Sequence, residues 1–165
     1  MTKKHLLESI EREIILLKRL IPFIEEKDLD FRPVEKMRST YELMQYLSAV
    51  GSVMFRWLIK NDITPEDRTK IAEYRATLTL ENFSQRLDDD LKIIKGYMDN
   101  LTEEDLHSME VELPWKEKML LGSAIINAPV KWLATYRMQL FVNLKMNGHT
   151  DLATKDAWVI SPPEA

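Results

Sequence analysis

Side chains able to hold a metal ion or act as nucleophiles are few in this sequence, and they are poorly spaced for such work. Its imidazoles are His5, His107 and His149. No two of them stand at the i, i+4 spacing that sets a ligand pair on one helical face, and all three are expected at the surface. With no cysteine, disulfides, thiolate ligands and a cysteine nucleophile are excluded together. Ser39 reads as a helix cap, and Ser48, Ser52, Ser84 and Ser123 have no base nearby in sequence. The G-x-S-x-G elbow and glycine-rich phosphate loops are both missing. Asp88, Asp89 and Asp90 offer three carboxylates in a row, but successive helical residues point about 100° apart. A solvated face is therefore expected there rather than a magnesium site.

The elements that would position such groups are helices. Leu7, Ile10, Ile14, Leu17, Ile21 and Ile24 advance in steps of three and four, an apolar stripe on a first helix. Pro22 should kink or end it, because proline lacks the amide donor and clashes one turn back. Ser39 and Glu42 form an S-x-x-E capping box ahead of a second helix reaching about Lys60, with Leu43, Leu47, Val50, Met54 and Trp57 at helical spacing. The connector from Asn61 to Leu78 is long for a bundle, and Thr64-Pro65-Glu66-Asp67 predicts a short helix inside it. A third helix follows Thr79, with Leu80, Phe83, Leu87, Leu91, Ile94, Met98 and Leu101 on one face. Val111-Glu112-Leu113 alternates like an extended piece. A last helix is predicted from about Lys116 to Asn147, bent at Pro129 and stopped by Gly148. Positions 149–165 form a tail of little periodicity, with Trp158 able to pack on the bundle. Glu25 to Leu29 echoes Thr102 to Leu106, each following a long helix. Nine methionines, among them Met44, Met54, Met119, Met138 and Met146, fall largely at core spacing, as expected of a gap-filling side chain.

The totals agree. A chain of 165 residues with 45% hydrophobic and 30% charged residues fits one folded domain over positions 1–165. A net charge of −4 with scattered Lys and Arg argues against nucleic-acid binding, which rests on clustered basic side chains. The stretch after Met1-Thr2-Lys3-Lys4 is broken by Glu8, Glu11, Arg12 and Glu13, so no signal-type core is present. No run approaches the roughly 20 apolar residues of a membrane span. A soluble, cytoplasmic protein is expected, with no membrane partner.

Two segments are more distinctive. Ser39-Thr40-Tyr41-Glu42-Leu43-Met44-Gln45-Tyr46-Leu47 is a cap followed by apolar spacing. Trp132-Leu133-Ala134-Thr135-Tyr136-Arg137-Met138-Gln139-Leu140 sets two aromatic residues four apart, just ahead of an arginine and a glutamine. Together they resemble the DinB-like superfamily, which also takes in thiol-dependent transferases. Its first motif reads roughly S-x-x-E-L-x-x-H-L; its second reads roughly H-x-x-x-H-R-x-Q, with a glycine some eight residues later, here Gly148. Phe31-Arg32-Pro33 is also family-like. The likeness spans most of the chain in order of elements, although its motifs occupy only about twenty residues.

The resemblance implies a four-helix bundle, all-α, with a long connection between helices two and three. It also implies a divalent metal held by three histidines at positions that here are Tyr46, Trp132 and Tyr136. None is histidine. A phenol with pKa near 10 must lose its proton before it binds, which costs roughly 4 kcal/mol per tyrosine at neutral pH. The whole free energy of structural zinc is only about 10–16 kcal/mol, and an indole offers no usable lone pair. No metal or other cofactor is therefore expected. The three aromatics are expected either to fill the volume of an abandoned metal site or to line a small pocket for a flat or amphipathic ligand, a noncanonical metal being a third reading. Arg137 and Gln139 are expected to tie the last helix to a neighbour. Catalytic residues are not identifiable. The expected role is a small-molecule-binding or interaction module, dimeric through a helix face, with a metal- or thiol-dependent transferase as the alternative.

Overall fold

The computed structural model describes residues 2–160, and four long helical segments make up the bundle. The first, α1 (Lys3–Lys18), starts where the Thr2 side chain accepts the His5 amide. Its inward stripe holds Leu6, Ile10, Ile14, Leu16 and Leu17, wider than the predicted row, with Leu7 only half-buried. Pro22 ends it as expected, lying in a 3-10 turn at Ile21–Phe23.

The second segment is interrupted. The Ser39/Glu42 box opens α2 (Thr40–Leu47), but Ala49 leaves helical geometry (φ −150°, ψ 4°) before α3 (Val50–Lys60). The break has a partner on another helix: the Asp90 carboxylate accepts the Ser52 amide at 3.1 Å and the Ser52 hydroxyl. A carboxylate at a helix N-terminus satisfies free amides there and complements the helix dipole. α3 closes on Asn61 in the left-handed region (φ 49°).

The connector holds α4 (Pro65–Ala76), longer than the short helix predicted, capped reciprocally by Thr64 and Asp67. None of its residues is buried. Arg56 on α3 grips it, bonding Asp67 through two nitrogens at 3.0 Å each and Asp62 at 2.7 Å. The third long helix, α5 (Leu80–Asp99), turns Phe83, Leu87, Ile94 and Met98 inward as predicted. Asp90 joins them, buried, which corrects the expectation of a solvated acidic run; Asp88 and Asp89 are exposed.

The short α6 (Glu103–Ser108) has a cap that resembles one after α1. Asp105 accepts the Thr102 amide at 2.7 Å, as Asp28 accepts the Glu25 amide at 2.8 Å in the 3-10 turn after α1. The last helix starts later than predicted. β1 (Glu110–Glu112) pairs antiparallel with β2 (Lys118–Leu120), so the backbone from Lys118 is used in a hairpin and α7 (Leu121–Ile125) follows it. This small hairpin is an addition to an otherwise helical fold. Pro129 falls in a π turn at Ile126–Val130, which accommodates the missing amide, and α8 (Lys131–Met146) completes the segment.

α1 packs on α5 and α8, α3 on α5, and α2 on α8. Their inward faces form one apolar cluster. Met44 and Met54 lie inside it, whereas Met146 is exposed. The tail folds back through α9 (Thr154–Trp158), while 161–165, the rest of the predicted tail, lie outside the described residues. His149, expected at the surface, is buried: its Nε2 lies 2.8 Å from Asp28 Oδ2. Burial pushes the Asp28 carboxyl up, but the Glu25 amide, Asn147 and His149 hold it below its ordinary value. His5 and His107 are exposed as expected.

Candidate functional site

Packing of α2 on α8 brings Tyr46 and Tyr136 together, ring centroids 4.9 Å apart and planes at 70°, an edge-to-face arrangement that aromatic quadrupoles favour. Trp132, one turn before Tyr136, has its ring 5.9 Å from that of Trp115 in the hairpin turn. All three aromatics are half-buried. Arg38 lies over both phenol rings, 4.3 Å from the centroid of Tyr46 and 5.6 Å from that of Tyr136. Arg75 of α4 also lies over Tyr46, at 5.1 Å.

These residues do not fit a divalent metal. Burial, reinforced by the neighbouring Tyr136, pushes the Tyr46 phenol up to about 12, so a phenolate ligand is even less accessible than in water. Two guanidinium groups over the same ring oppose a further cation there. Among the described residues, no three His, Cys, Asp or Glu side chains converge to hold a metal elsewhere.

What the arrangement does form is a cleft of about 710 Å³ between α2, α3 and α4. Of the three aromatic positions, only Tyr46 lines it. Its walls are mainly apolar, with Met54, Trp57, Ile63 and Ile71 among them, and its polar groups are Arg38, Glu42, Gln45, Arg68 and Arg75. Trp57 is anchored by donating its indole N–H to the Glu112 carbonyl at 2.9 Å. Glu42 accepts both terminal nitrogens of Arg32 at 2.7 Å and the Ser39 amide at 2.9 Å. The Arg32 guanidinium, foremost, and the Ser39 amide hold its carboxyl at about 2. The motif glutamate is thus an anchor for the cap and for Arg32.

Arg137 serves as the sequence suggested, tying α8 to a neighbour. Buried, it donates Nε to Glu13 of α1 at 2.8 Å and a terminal nitrogen to the Ala157 carbonyl, and it stacks on Trp158 at 5.0 Å. Gln139 is half-buried. Sequence reasoning missed Arg38, Arg68 and Arg75. Only their i, i+7 placement on α4 (Arg68 and Arg75), beside Ile71 and Ala72, carried a signal.

No protein-family model matches this sequence, and no curated protein matches it significantly. Solved structures do share its fold. A putative DinB-family member from Exiguobacterium sibiricum superposes with a TM-score of 0.69 at 20% identity, over 89% of this chain and 92% of that one. A DinB-like protein from Bacillus subtilis gives 0.66 at 16% identity, over 90% and 96%. A mycothiol-dependent maleylpyruvate isomerase gives 0.54 at 10% identity, over 95% of this chain and 66% of the isomerase. The fold is therefore the DinB-like four-helix bundle expected from the two motifs.

Proposed function

We propose that this protein is a metal-free module that binds a small organic molecule in the cleft beneath α4. The observation that carries this reading is the cleft itself: about 710 Å³, walled by Met54, Trp57, Ile63 and Ile71, and opening beside Tyr46. Ligand sites typically measure about 300–1,000 Å³ and combine apolar walls with a few convergent polar groups. It lies next to the position where the family resemblance would put a metal, and Tyr46, at one of those positions, forms part of its wall.

A neutral solvatochromic dye such as Nile red tests this. Saturable one-to-one binding is expected, and Ala72→Trp should abolish it. Ala72 lines the cleft and is exposed, so that substitution fills the cavity without touching the core. Absence of saturable binding, or equal binding by Ala72→Trp, would refute the reading.

The competing reading is a metal- or thiol-dependent transferase using Tyr46 and Tyr136, and the isomerase of like fold is what favours it. It predicts stoichiometric metal in purified protein, lost in Tyr136→Phe, and a rise in melting temperature with Ni²⁺, Zn²⁺ or Mn²⁺. Under the binding-module reading none of these appears. Burial works against the transferase, since a phenol pushed up to about 12 is a weak base or nucleophile near neutral pH.

A further inference from the structure

We propose that the ligand of this cleft is an amphipathic anion whose carboxylate is taken by Arg75 and Arg38; the inference rests on the cleft being a binding site. It comes from the distribution of arginines. The chain has nine, and six have hydrogen-bond or ion-pair partners among the described residues. Arg12 donates to the Trp158 carbonyl, Arg19 faces Asp156, Arg32 pairs with Glu42, Arg56 with Asp62 and Asp67, Arg86 donates to Thr77, and Arg137 pairs with Glu13. The remaining three are Arg38, Arg68 and Arg75, and all three line the same cleft.

No carboxylate pairs directly with them; Glu42 reaches Arg38 only through its field. Glu42 is the one carboxylate among the lining residues, and its oxygens are occupied by Arg32 and the Ser39 amide. Asp90, which does not line the cleft, acts on Arg75 through its field, but its Oδ1 is taken by Ser52. Its Oδ2 and Arg75 Nε are both buried without partners, so the two are not ion-paired. A buried guanidinium nitrogen without an acceptor is costly to maintain, and an incoming oxyanion would supply that acceptor. Burial lowers the Arg75 pKa and the field of Arg38 lowers it further, against the raising effects of Tyr46 and Asp90; an anion beside both guanidinium groups would favour their charged forms.

Geometry selects the head group and the body. Arg38 and Arg75 lie 4.3 and 5.1 Å from the same ring centroid, that of Tyr46, and a planar guanidinium fork suits a carboxylate. Arg68 stands two helical turns from Arg75 on α4, with Ile71 and Ala72 between them on the cleft face. The ligand's apolar body would lie along that stripe and against Met54 and Trp57. A ligand with charge at one end and hydrocarbon beyond it matches both halves of the lining.

The test is competition against Nile red by three probes sharing one apolar body: 4-phenylbutyrate, its neutral amide, and 4-phenylbutyl phosphate. The carboxylate should displace the dye at concentrations at least about ten-fold lower than the amide. Arg75→Gln and Arg38→Gln should each narrow that ratio towards one, and both variants should still melt cooperatively and bind the dye. Arg68→Gln should move the ratio less. If the amide and carboxylate compete equally while the dye still binds, the charge assignment is overturned and the cleft reading stands. If the phosphate outcompetes the carboxylate, the head group is wrong. If the dye does not bind at all, both readings fall together.

Discussion

Asp90, in the middle of α5, accepts the Ser52 amide at 3.1 Å and so stands at the first turn of α3. Burial pushes its carboxyl up to about 6 from an ordinary 3.8, against the opposing hydrogen bonds from Ser52. Between those pH values the folded chain holds more protons than the unfolded one. Stability from this group is therefore greatest at low pH and falls as the pH rises through 6. The charged form costs on the order of 3 kcal/mol. Asp90→Asn keeps an oxygen for Ser52 and loses that dependence. In urea melts at several pH values, the variant should equal or exceed the parent at about pH 8, and the parent should gain on it by up to that amount towards about pH 4. A difference independent of pH, or one of opposite slope, would refute this.

Beside that carboxylate, Gly51 has no room for a side chain. A Cβ there would meet Ile94 Cδ1 at 2.6 Å and Asp90 Oδ2 at 2.7 Å. Gly51→Ala should destabilise by about 1–3 kcal/mol, as overpacking does. Gly96, exposed on α5 with nothing within 4 Å of its virtual Cβ, provides the contrast: Gly96→Ala should stabilise by about 0.5–1 kcal/mol through helix propensity. Opposite signs in thermal melts of the two variants check both statements.

Arg137 joins α8, α1 and the tail in one buried pair. Removing it strands Glu13, whose side chain is largely buried, and leaves the Ala157 carbonyl without its donor. Arg137→Ala should cost about 3 kcal/mol, the usual penalty for breaking a buried ion pair. Arg12→Ala, removing an exposed bond to the neighbouring Trp158 carbonyl, should cost less than about 1 kcal/mol. Equal losses in the two variants would show that Arg137 is not the tie described.

Tyr46 should report its environment directly. With its phenol pushed up to about 12, it should ionise in a late step of a near-ultraviolet phenolate titration. Tyr46→Phe should remove that late step. Loss of an early step instead would place Tyr46 in water and undo the account of the cleft wall.

The helices were legible wherever the signal was local. The Ser39/Glu42 and Thr64/Asp67 caps, the stop at Pro22 and the inward row of Phe83, Leu87, Ile94 and Met98 needed only spacing and turn chemistry. Long-range compensation was not legible. Which of Asp88, Asp89 and Asp90 turns inward is set by packing on α3, where Asp90 accepts the Ser52 amide just after the break at Ala49. His149 is buried because Asp28, far away in sequence, accepts from it. The late start of the last helix reflects the pairing of Lys118–Leu120 with Glu110–Glu112, which Val111-Glu112-Leu113 hinted at from one side only. At the candidate site, Tyr46 was found through its motif. Arg38 and Arg75 come from separate segments, and neither has a motif of its own.

Since α4 contributes no buried residue, its inward letters are decoupled from the folding of the rest. Arg68, Ile71, Ala72 and Arg75 can be rewritten while the apolar cluster of the long helices stays intact. Selectivity can then diversify at constant scaffold stability, and a combinatorial library confined to those four positions would sample new ligands rather than unfolded chains.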